Sequence, residues 1–286
     1  MPKAHELIAD IGGSSSRWVL LSGSGDALPL IGAWPGFNPA VNDPSTFVEV
    51  LKPALSEALA ERKLNKLTVY GAGCGTEERK QRMRSTLSTM VAADEVIVET
   101  DLLGAARGLC GDAPGLVLIL GTGMNAGWYD GKELQTPMPS LGWILGDEGS
   151  GADIGKRLLS DAVHGRMPGA VVQAVFGKNE VSAGEALQVL AGSSSPNSAV
   201  AAFAGKLTAV ADDRYVAELL RDRFAALASL LHDNFGSHAP CAVAATGGIA
   251  KGFSGLLRTR LATSGFDLRH VEADPMDGLI AWHRAR

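Results

Sequence analysis

The chain has 286 residues, 46% of them hydrophobic, so it carries enough apolar material for a folded core and is not a mainly disordered protein. Its 26 basic and 31 acidic side chains give a net charge of −5 without a basic stripe, which argues against nucleic acid as a partner. Three widely spaced cysteines, a polar N-terminal segment and the lack of an apolar run of roughly 20 residues predict a cytoplasmic protein without disulfides, zinc site or membrane span.

Strand-like runs recur along the chain with helix-like stretches between several of them, which predicts an α/β fold. We predict strands at Glu6–Ile11, Arg17–Ser22, Lys66–Tyr70, Glu95–Glu99, Leu116–Leu120, Ala126–Tyr129, Cys241–Ala245 and Leu268–Glu272. We predict helices at Ser45–Arg62, Glu77–Val91, Leu102–Cys110, Tyr215–Phe235 and Phe253–Leu261. Pro53 is expected to kink or split the first helix, and Gly192–Ser198 is expected to be an exposed loop.

Two segments in different halves of the chain are similar. Residues 8–20 read IADIGGSSSRWVL, and residues 118–130 read LILGTGMNAGWYD. Each is an apolar strand, a glycine turn with small hydroxyl residues and a second short strand, which predicts a β-hairpin whose tip exposes backbone N–H groups. Two such hairpins predict a duplicated fold. A third glycine turn, Thr246-Gly247-Gly248, follows another predicted strand.

Glycine turns after strands are typical of phosphate binding, because backbone N–H groups converge on an anion only where no Cβ intervenes. The sequence lacks a complete G-x-x-x-x-G-K-[ST] motif, a G-x-G-x-x-G motif after a strand, and the protein-kinase motifs. What it has instead is a strand ending in Asp10-x-Gly-Gly, a hairpin with Gly121-Thr-Gly, and the late Gly-Gly turn.

In this order the three motifs resemble those of the ASKHA superfamily, which includes sugar kinases, actin and the heat-shock ATPases. Two blocks, TDLLGAAR at 100–107 and LGDEGSGADIG at 145–155, resemble the BadF/BadG/BcrA/BcrD family and its N-acetylglucosamine kinase-like branch. The match covers essentially the whole chain. The resemblance implies a two-lobed ASKHA fold with duplicated RNase H-like domains: residues 1–112 plus 276–286 form the N-terminal lobe, and residues 113–275 form the C-terminal lobe.

The resemblance also implies where ATP and Mg²⁺ bind. The two hairpins would be phosphate loops and the Gly-Gly turn an adenosine motif, so that ATP would be bound by Gly12, Gly13, Ser14, Ser15, Gly121, Thr122, Gly123, Gly247 and Gly248. Asp10 would be a partner of Mg²⁺, directly or through water, since Mg²⁺ keeps waters and takes few carboxylates. By residue type alone, the alternative role of Asp10 is a turn cap.

Asp101 has two interpretations. By residue type it is an N-cap of the following helix, whereas the resemblance implies the general base that takes the acceptor's proton. The resemblance further implies sugar contacts from Asn38, Asn125, Gly142, Trp143, Asp147 and Glu148, with Gly73 and Cys74 near the sugar. From the residues alone, Asn38 is an ordinary turn residue and Gly142–Gly151 is an acidic, glycine-rich loop.

The function expected from these residues is that of an ATP-dependent amino-sugar kinase with Mg·ATP in a cleft between two lobes. Its partner is a small-molecule sugar, first of all N-acetylglucosamine phosphorylated at O6, with glucosamine and N-acetylmuramic acid as alternatives. The rival class is a non-kinase ATPase that activates dehydratases with a cysteine-bound [4Fe–4S] cluster. A sugar-binding regulator without catalysis is a third class. A kinase of the ROK class is disfavoured, because its cysteine-rich zinc motif is absent. Whether the protein forms a homodimer stays open.

Overall fold

The computed structural model describes residues 5–60, 62–193 and 195–286. The strands are β1 (Glu6–Ile11), β2 (Ser15–Leu21), β3 (Ala27–Pro29), β4 (Trp34–Pro35), β5 (Leu64–Gly71), β6 (Ala93–Thr100), β7 (Gly115–Leu120), β8 (Met124–Tyr129), β9 (Leu134–Gln135), β10 (Cys241–Thr246) and β11 (Phe266–Glu272). The helices are α1 (Ser45–Leu59), α2 (Glu77–Ser88), α3 (Asp101–Cys110), α4 (Gly142–Leu145), α5 (Gly151–Val163), α6 (Gly169–Phe176), α7 (Ala183–Ala191), α8 (Pro196–Gly205), α9 (Arg214–Phe235), α10 (Gly248–Gly252), α11 (Ser254–Ala262) and α12 (Met276–Arg284).

The chain divides into two compact units. Unit 1 comprises the residues up to Gly111 together with Pro275–Arg286, and unit 2 comprises Asp112–Asp274. In the described part of the chain, no helix is both long enough and apolar enough to cross a bilayer.

Unit 1 is built on a sheet of order β3-β2-β1-β5-β6, with β4 pairing to β2. β1 is antiparallel to β2 and parallel to β5, which is parallel to β6. Both faces of β1 are buried: Leu7, Ala9 and Ile11 pack with the buried residues of α1 and α2, and Ile8 packs with Met276 and Leu279 of α12. This is why β1 reads as a continuous apolar run rather than an alternating one.

Unit 2 repeats this arrangement in a sheet of order β11-β10-β7-β8-β9. Its first strand, β7, forms an antiparallel hairpin with β8 and pairs in parallel with β10, which pairs in parallel with β11. One face of β7 packs Leu116, Leu118 and Leu120 into a core that includes Phe224 and Leu227 of α9. The two sheets therefore share one strand order, and the predicted α/β class, the two hairpins and the duplication are confirmed.

Two local predictions are wrong in part: α1 is not split at Pro53, and the expected loop at 192–198 is helical from Pro196. Helix α1 runs through Pro53 without a break. Pro53 has no N–H, so the carbonyl of Glu49 loses its helical hydrogen bond. Both residues are exposed, so water can replace that bond. The buried side chains Phe47 and Leu51 before it and Leu55 after it hold the helix on both sides. The predicted loop at 192–198 is already helical from Pro196, a favoured residue for a first helical turn, and Ser194 lies outside the described residues.

Candidate active site

The carboxyl ends of three parallel strands meet at one edge of the unit 1 sheet. In the strand register, Asp10 on β1 pairs with Tyr70 on β5, and Tyr70 pairs with Glu99 on β6. Asp101 directly follows β6. Because neighbouring strands lie about 4.8 Å apart, two strand spacings place Asp10 and Glu99 roughly 10 Å apart, and Asp101 lies two residues beyond Glu99 at the same edge. The residue predicted to hold Mg²⁺ and the predicted general base thus share one edge of one sheet.

The tip of the first hairpin lies beside Asp10. Gly12 N donates to Ser15 O at 2.9 Å, and Gly13, Ser14 and Ser15 are exposed. The segment after β4 packs directly against the tip: Phe37 N donates to Gly12 O at 3.0 Å, and a Cβ on Gly36 would lie 2.5 Å from Ser14 N. Gly36 therefore allows this segment to pack against the tip, a role that was not predicted from the sequence, although a glycine two residues before Asn38 was the available signal.

Asp101 is not the N-cap of helix α3. That role belongs to Thr100, whose Oγ1 accepts a hydrogen bond from Leu103 N at 3.2 Å. The partly buried carboxyl of Asp101 accepts a hydrogen bond from Leu102 N to Oδ1 at 2.8 Å. Burial raises the pKa of Asp101 from its ordinary value of 3.8 to about 6, although the Leu102 N–H offsets part of the rise. Asp101 therefore combines a strand-end position with the pKa of a general base that works near neutral pH.

This pKa makes the pH–rate profile a test of Asp101. A base must be deprotonated to act, so kcat/KM should be level above about pH 6 and fall about tenfold per pH unit below it. The measurement is kcat/KM for the acceptor from pH 5 to 8 at saturating ATP, with a thermal melt at each pH to exclude unfolding. An acid limb centred near pH 4 would assign the proton transfer to a group with an ordinary carboxyl pKa.

Asn38 and the loop after β5 lie against each other. Gly73 has φ +73° and a Cβ there would lie 2.6 Å from Asn38 Cγ, so only glycine allows this contact. Asn38 Oδ1 accepts from Ala40 N at 2.9 Å, while the Asn38 NH₂ group has no hydrogen-bond partner among the described residues. Asn38 therefore offers a donor for a ligand.

Cys74 connects this loop to Asp101. The Cys74 thiol is buried, which raises its pKa to about 12, and the negative charge of Asp101 adds to the rise. A thiol with this pKa is not a nucleophile at neutral pH. Asn38, Gly73, Cys74 and Asp101 form one cluster at the edge of unit 1 that carries the first hairpin.

The tip of the second hairpin is fixed by the start of helix α5. Gly151 N donates to Gly121 O at 2.8 Å, and Ala152 N donates to Thr122 O at 3.0 Å. These bonds hold the tip through its carbonyl groups. Asn125 lies on β8 opposite Ile119, close behind the tip.

Asp147 also lies against the second hairpin. Its carboxylate accepts a hydrogen bond from Met124 N, and a Cβ on Gly123 would lie 2.8 Å from Asp147 Oδ2. Burial raises the pKa of Asp147, and the neighbouring carboxylate of Glu148 adds to this. The structure thus brings a residue predicted to contact sugar next to a residue of the predicted phosphate loop.

The Thr246–Gly248 turn lies against the base of the second hairpin. Gly247 has φ +116°, its N donates to Glu272 O at 3.1 Å, and a Cβ there would lie 2.5 Å from Leu120 O. Gly248 opens helix α10, and a Cβ on it would meet no atom within 4 Å. The second phosphate loop and the adenosine motif of the sequence analysis are therefore adjacent in unit 2.

These two glycines give a matched pair of substitutions. We expect Gly247→Ala to cost roughly 1–3 kcal/mol in backbone strain, with further loss from the clash at Leu120, and to weaken ATP binding. Gly248→Ala should leave stability nearly unchanged, because its Cβ would meet no protein atom within 4 Å. Thermal melts and ATP titrations of the two variants make the comparison. Equal behaviour of the two variants would contradict the proposed packing of the turn.

The block Gly142–Gly151 forms a short helix, α4, a turn and the start of α5. Trp143 O accepts a hydrogen bond from Lys156 Nζ, which also lies 5.8 Å from the centroid of the Trp143 ring. Neither helix α4 nor the hydrogen bond by which Lys156 holds it was predicted from the sequence. No residue pattern marks that contact, since the partner of Lys156 is a backbone carbonyl.

A capping box at the start of α5 forms only in part. Ser150 Oγ accepts from Asp153 N at 3.2 Å. The Asp153 carboxylate, however, accepts from Gly149 N at 2.9 Å and not from the Ser150 backbone. Aspartate is one methylene shorter than the glutamate of a standard box, and here it closes the turn one residue earlier. The bond ties the LGDEGSG turn to α5.

Asp10 has the chemistry that a nucleotide-bound Mg²⁺ requires. Mg²⁺ in phosphate-transfer sites is held by one or two carboxylates together with substrate phosphates and waters. Asp10 is a partly buried carboxylate next to the exposed tip of the first hairpin. The residues at this edge therefore fit the metal.

Comparison with known proteins gives no match to a family model and none to a curated protein, but many solved structures are similar. A protein of Porphyromonas gingivalis, provisionally assigned as an N-acetylglucosamine kinase, is 29% identical with a TM-score of 0.84 over 98% of this chain and 99% of its own. A Chromobacterium violaceum protein with the same provisional assignment is 20% identical with a TM-score of 0.68, covering 98% of both chains. The ROK glucokinase of Streptomyces griseus, solved with glucose and AMPPNP, is 15% identical with a TM-score of 0.62, also covering 98% of both.

The duplicated sheets, their glycine hairpins and these neighbours show the fold of the ASKHA superfamily. The similarity to two proteins provisionally assigned as N-acetylglucosamine kinases is consistent with the BadF/BadG resemblance of the motifs. The neighbours support a sugar kinase. The roles given to individual residues stay predictions.

Proposed function

We propose that the chain is a cytoplasmic, ATP-dependent amino-sugar kinase that phosphorylates N-acetylglucosamine at O6. The observation that carries this proposal is the cluster at the edge of unit 1. There Asp101, a carboxyl with a pKa of about 6, lies at the same sheet edge as the first glycine hairpin. Asp101 also belongs to the same cluster as Asn38, whose NH₂ group has no hydrogen-bond partner among the described residues. A base, a hydrogen-bond donor for a hydroxyl and a phosphate loop are the parts that phosphoryl transfer to a sugar needs.

Each part has a separate role. The hairpin tips at Gly12–Ser15 and Gly121–Gly123 are the proposed phosphate loops, and the turn Gly247–Gly248 is the proposed adenosine motif. Mg²⁺, held through Asp10, neutralises charge on the phosphates when it is bound. Catalysis is then mostly positioning and electrostatic stabilisation, because phosphoryl transfer demands little covalent chemistry of the protein.

Asp101 acts on the acceptor hydroxyl. Its carboxylate takes the proton of the sugar 6-hydroxyl while the sugar oxygen bonds to the γ-phosphorus and the bond from that phosphorus to the bridging oxygen breaks. The products are the sugar 6-phosphate, ADP and a proton. Asn38 donates from its NH₂ group to a neighbouring sugar hydroxyl and so holds the ring in place.

A screen of ATP consumption over amino sugars tests the proposal, with mass spectrometry to confirm that the product carries one added phosphoryl group. The sugars tested should be N-acetylglucosamine, glucosamine, N-acetylmuramic acid and glucose. The variant Asp101→Asn, which lacks the proposed base, is the control for phosphoryl transfer. ATP hydrolysis with no phosphorylated sugar would support the non-kinase ATPase instead. In that event, the visible spectrum of anaerobically purified protein would reveal an iron–sulfur cluster.

A further inference from the structure

The loop that carries Asn38 is tied to helix α2 by one arginine. Arg82 Nη1 donates to Pro39 O at 2.7 Å, and Arg82 Nη2 donates to Asn42 O at 2.9 Å. The two terminal nitrogens of one planar guanidinium thus hold two carbonyls of the segment Asn38–Asn42, here called the Asn38 loop. Such a fork binds two acceptors at once with fixed geometry, which a lysine ammonium does not do.

The hydrogen bonds inside the loop transmit this constraint to Asn38. Asn38 O accepts from Val41 N at 3.1 Å and from Asn42 N at 2.9 Å. Asn38 N donates to Asn42 Oδ1 at 3.0 Å, and Asn38 Oδ1 accepts from Ala40 N. Both backbone groups of Asn38 and its side-chain oxygen are therefore engaged within the loop, so the direction of the NH₂ group depends on the shape of the loop.

Packing holds the outer part of the loop only weakly. Ala40 is exposed and the side chain of Val41 is 76% exposed. Hydrophobic burial therefore contributes little at these two residues, and the polar bridge from Arg82 carries much of the order at this end of the loop. Without it, the loop would have to be ordered each time a ligand binds, at a cost in affinity.

We propose that Arg82 is a positioning residue for the acceptor sugar. By bridging Pro39 O and Asn42 O, it keeps the Asn38 loop in the shape that aims the Asn38 NH₂ group at a sugar hydroxyl. This inference rests on the proposed sugar-kinase function. Because Asn38 would hold the sugar equally in the ground state and the transition state, loss of the bridge should raise the KM for the sugar and leave kcat nearly unchanged.

The test compares Arg82→Met with Arg84→Met. Arg84 lies on the same helix, but its hydrogen bonds go to Glu77 and Gln81 of that helix. We expect Arg82→Met to raise the KM for the sugar about tenfold or more, with kcat and the KM for ATP within about threefold of wild type. Arg84→Met should behave as wild type, and Arg82→Lys should lie between, because one ammonium replaces the two-pronged guanidinium.

Amide hydrogen exchange adds a readout that does not need turnover. The Val41 and Asn42 amides, which donate to Asn38 O, should exchange faster in Arg82→Met than in Arg84→Met. An unchanged KM for the sugar in Arg82→Met, or an equal rise in Arg84→Met, overturns the inference while leaving the kinase assignment intact. A wild-type protein that phosphorylates no sugar overturns both.

Discussion

Asp101→Asn should still bind ATP and sugar while its kcat falls by ~10²–10⁴-fold, the range for a positioned general base. The amide has nearly the shape of the carboxyl, so the bond from Leu102 N can persist to the amide oxygen. What the amide cannot do is take the proton of the acceptor hydroxyl. The measurements are steady-state kinetics and direct titrations of both ligands. A variant that keeps most of its kcat would remove Asp101 from this role.

The stability of the same variant separates lost chemistry from lost structure. Burial raises the folded-state pKa of Asp101 to about 6, so the ionised carboxylate opposes folding. Asp101 loses its proton at a higher pH in the native state than in the unfolded chain. The penalty to folding therefore grows as pH rises from about 4 to 6 and is fully present above pH 6. Asp101→Asn should therefore melt at the same temperature as wild type or higher at pH 8, with the difference shrinking at acid pH.

Glu99→Gln is the matched control for Asp101→Asn. Glu99 is a partly buried carboxylate two residues earlier at the same sheet edge, but it is paired with Lys80, whose Nζ lies 2.7 Å from Glu99 Oε2. It should keep kcat within a few-fold of wild type. A large loss in both variants would mean that the edge needs negative charge in general and not a base at Asp101.

N-acetylglucosamine should be used better than glucose, by about 30-fold or more in kcat/KM. An acetamido group offers one N–H donor and one C=O acceptor. A site that pairs both leaves two buried polar groups without partners when glucose binds, and each such group costs about 1–3 kcal/mol. The block Gly142–Gly151 is the proposed location, because its glycines let the backbone approach the 2-substituent without a side chain between them.

The measurement is kcat/KM for N-acetylglucosamine, glucosamine, N-acetylmuramic acid and glucose under one set of conditions. The KM for ATP, determined with each sugar, is the control, since the nucleotide site should not depend on the acceptor. If glucosamine or glucose is preferred by tenfold or more, the acetamido argument is wrong, although a sugar kinase would remain.

The sequence predicted those features that depend on short stretches of chain. An apolar strand followed by a glycine turn and a second strand specified each hairpin locally, and both hairpins formed where expected. At Asp101 the same local reasoning could not decide between cap and base, because Thr100 and Asp101 are both good caps and adjacent. The structure shows that Thr100 is the cap, which leaves the carboxyl of Asp101 available.

The contacts that the sequence could not predict are those made to backbone carbonyls far along the chain. Lys156 bonds to Trp143 O, and Arg82 bonds to Pro39 O and Asn42 O. Every residue type has a carbonyl, so the acceptor side of such a pair leaves no pattern in the sequence. These contacts also hold the predicted sugar-binding segments in place. The residues predicted to contact the sugar could therefore be proposed from the sequence, whereas Lys156 and Arg82, which position those segments, could not.

Unit 1 has a consequence for synthesis on the ribosome, because helix α12 belongs to its fold. Met276 and Leu279 cover Ile8 and Tyr70, yet the roughly 160 residues of unit 2 are made in between. At about 5–20 residues per second, the part of this face that α12 covers stays exposed for roughly 8–30 seconds. Unit 2 is continuous in the chain and can complete its fold first, so the unit that is translated first is the last to be finished.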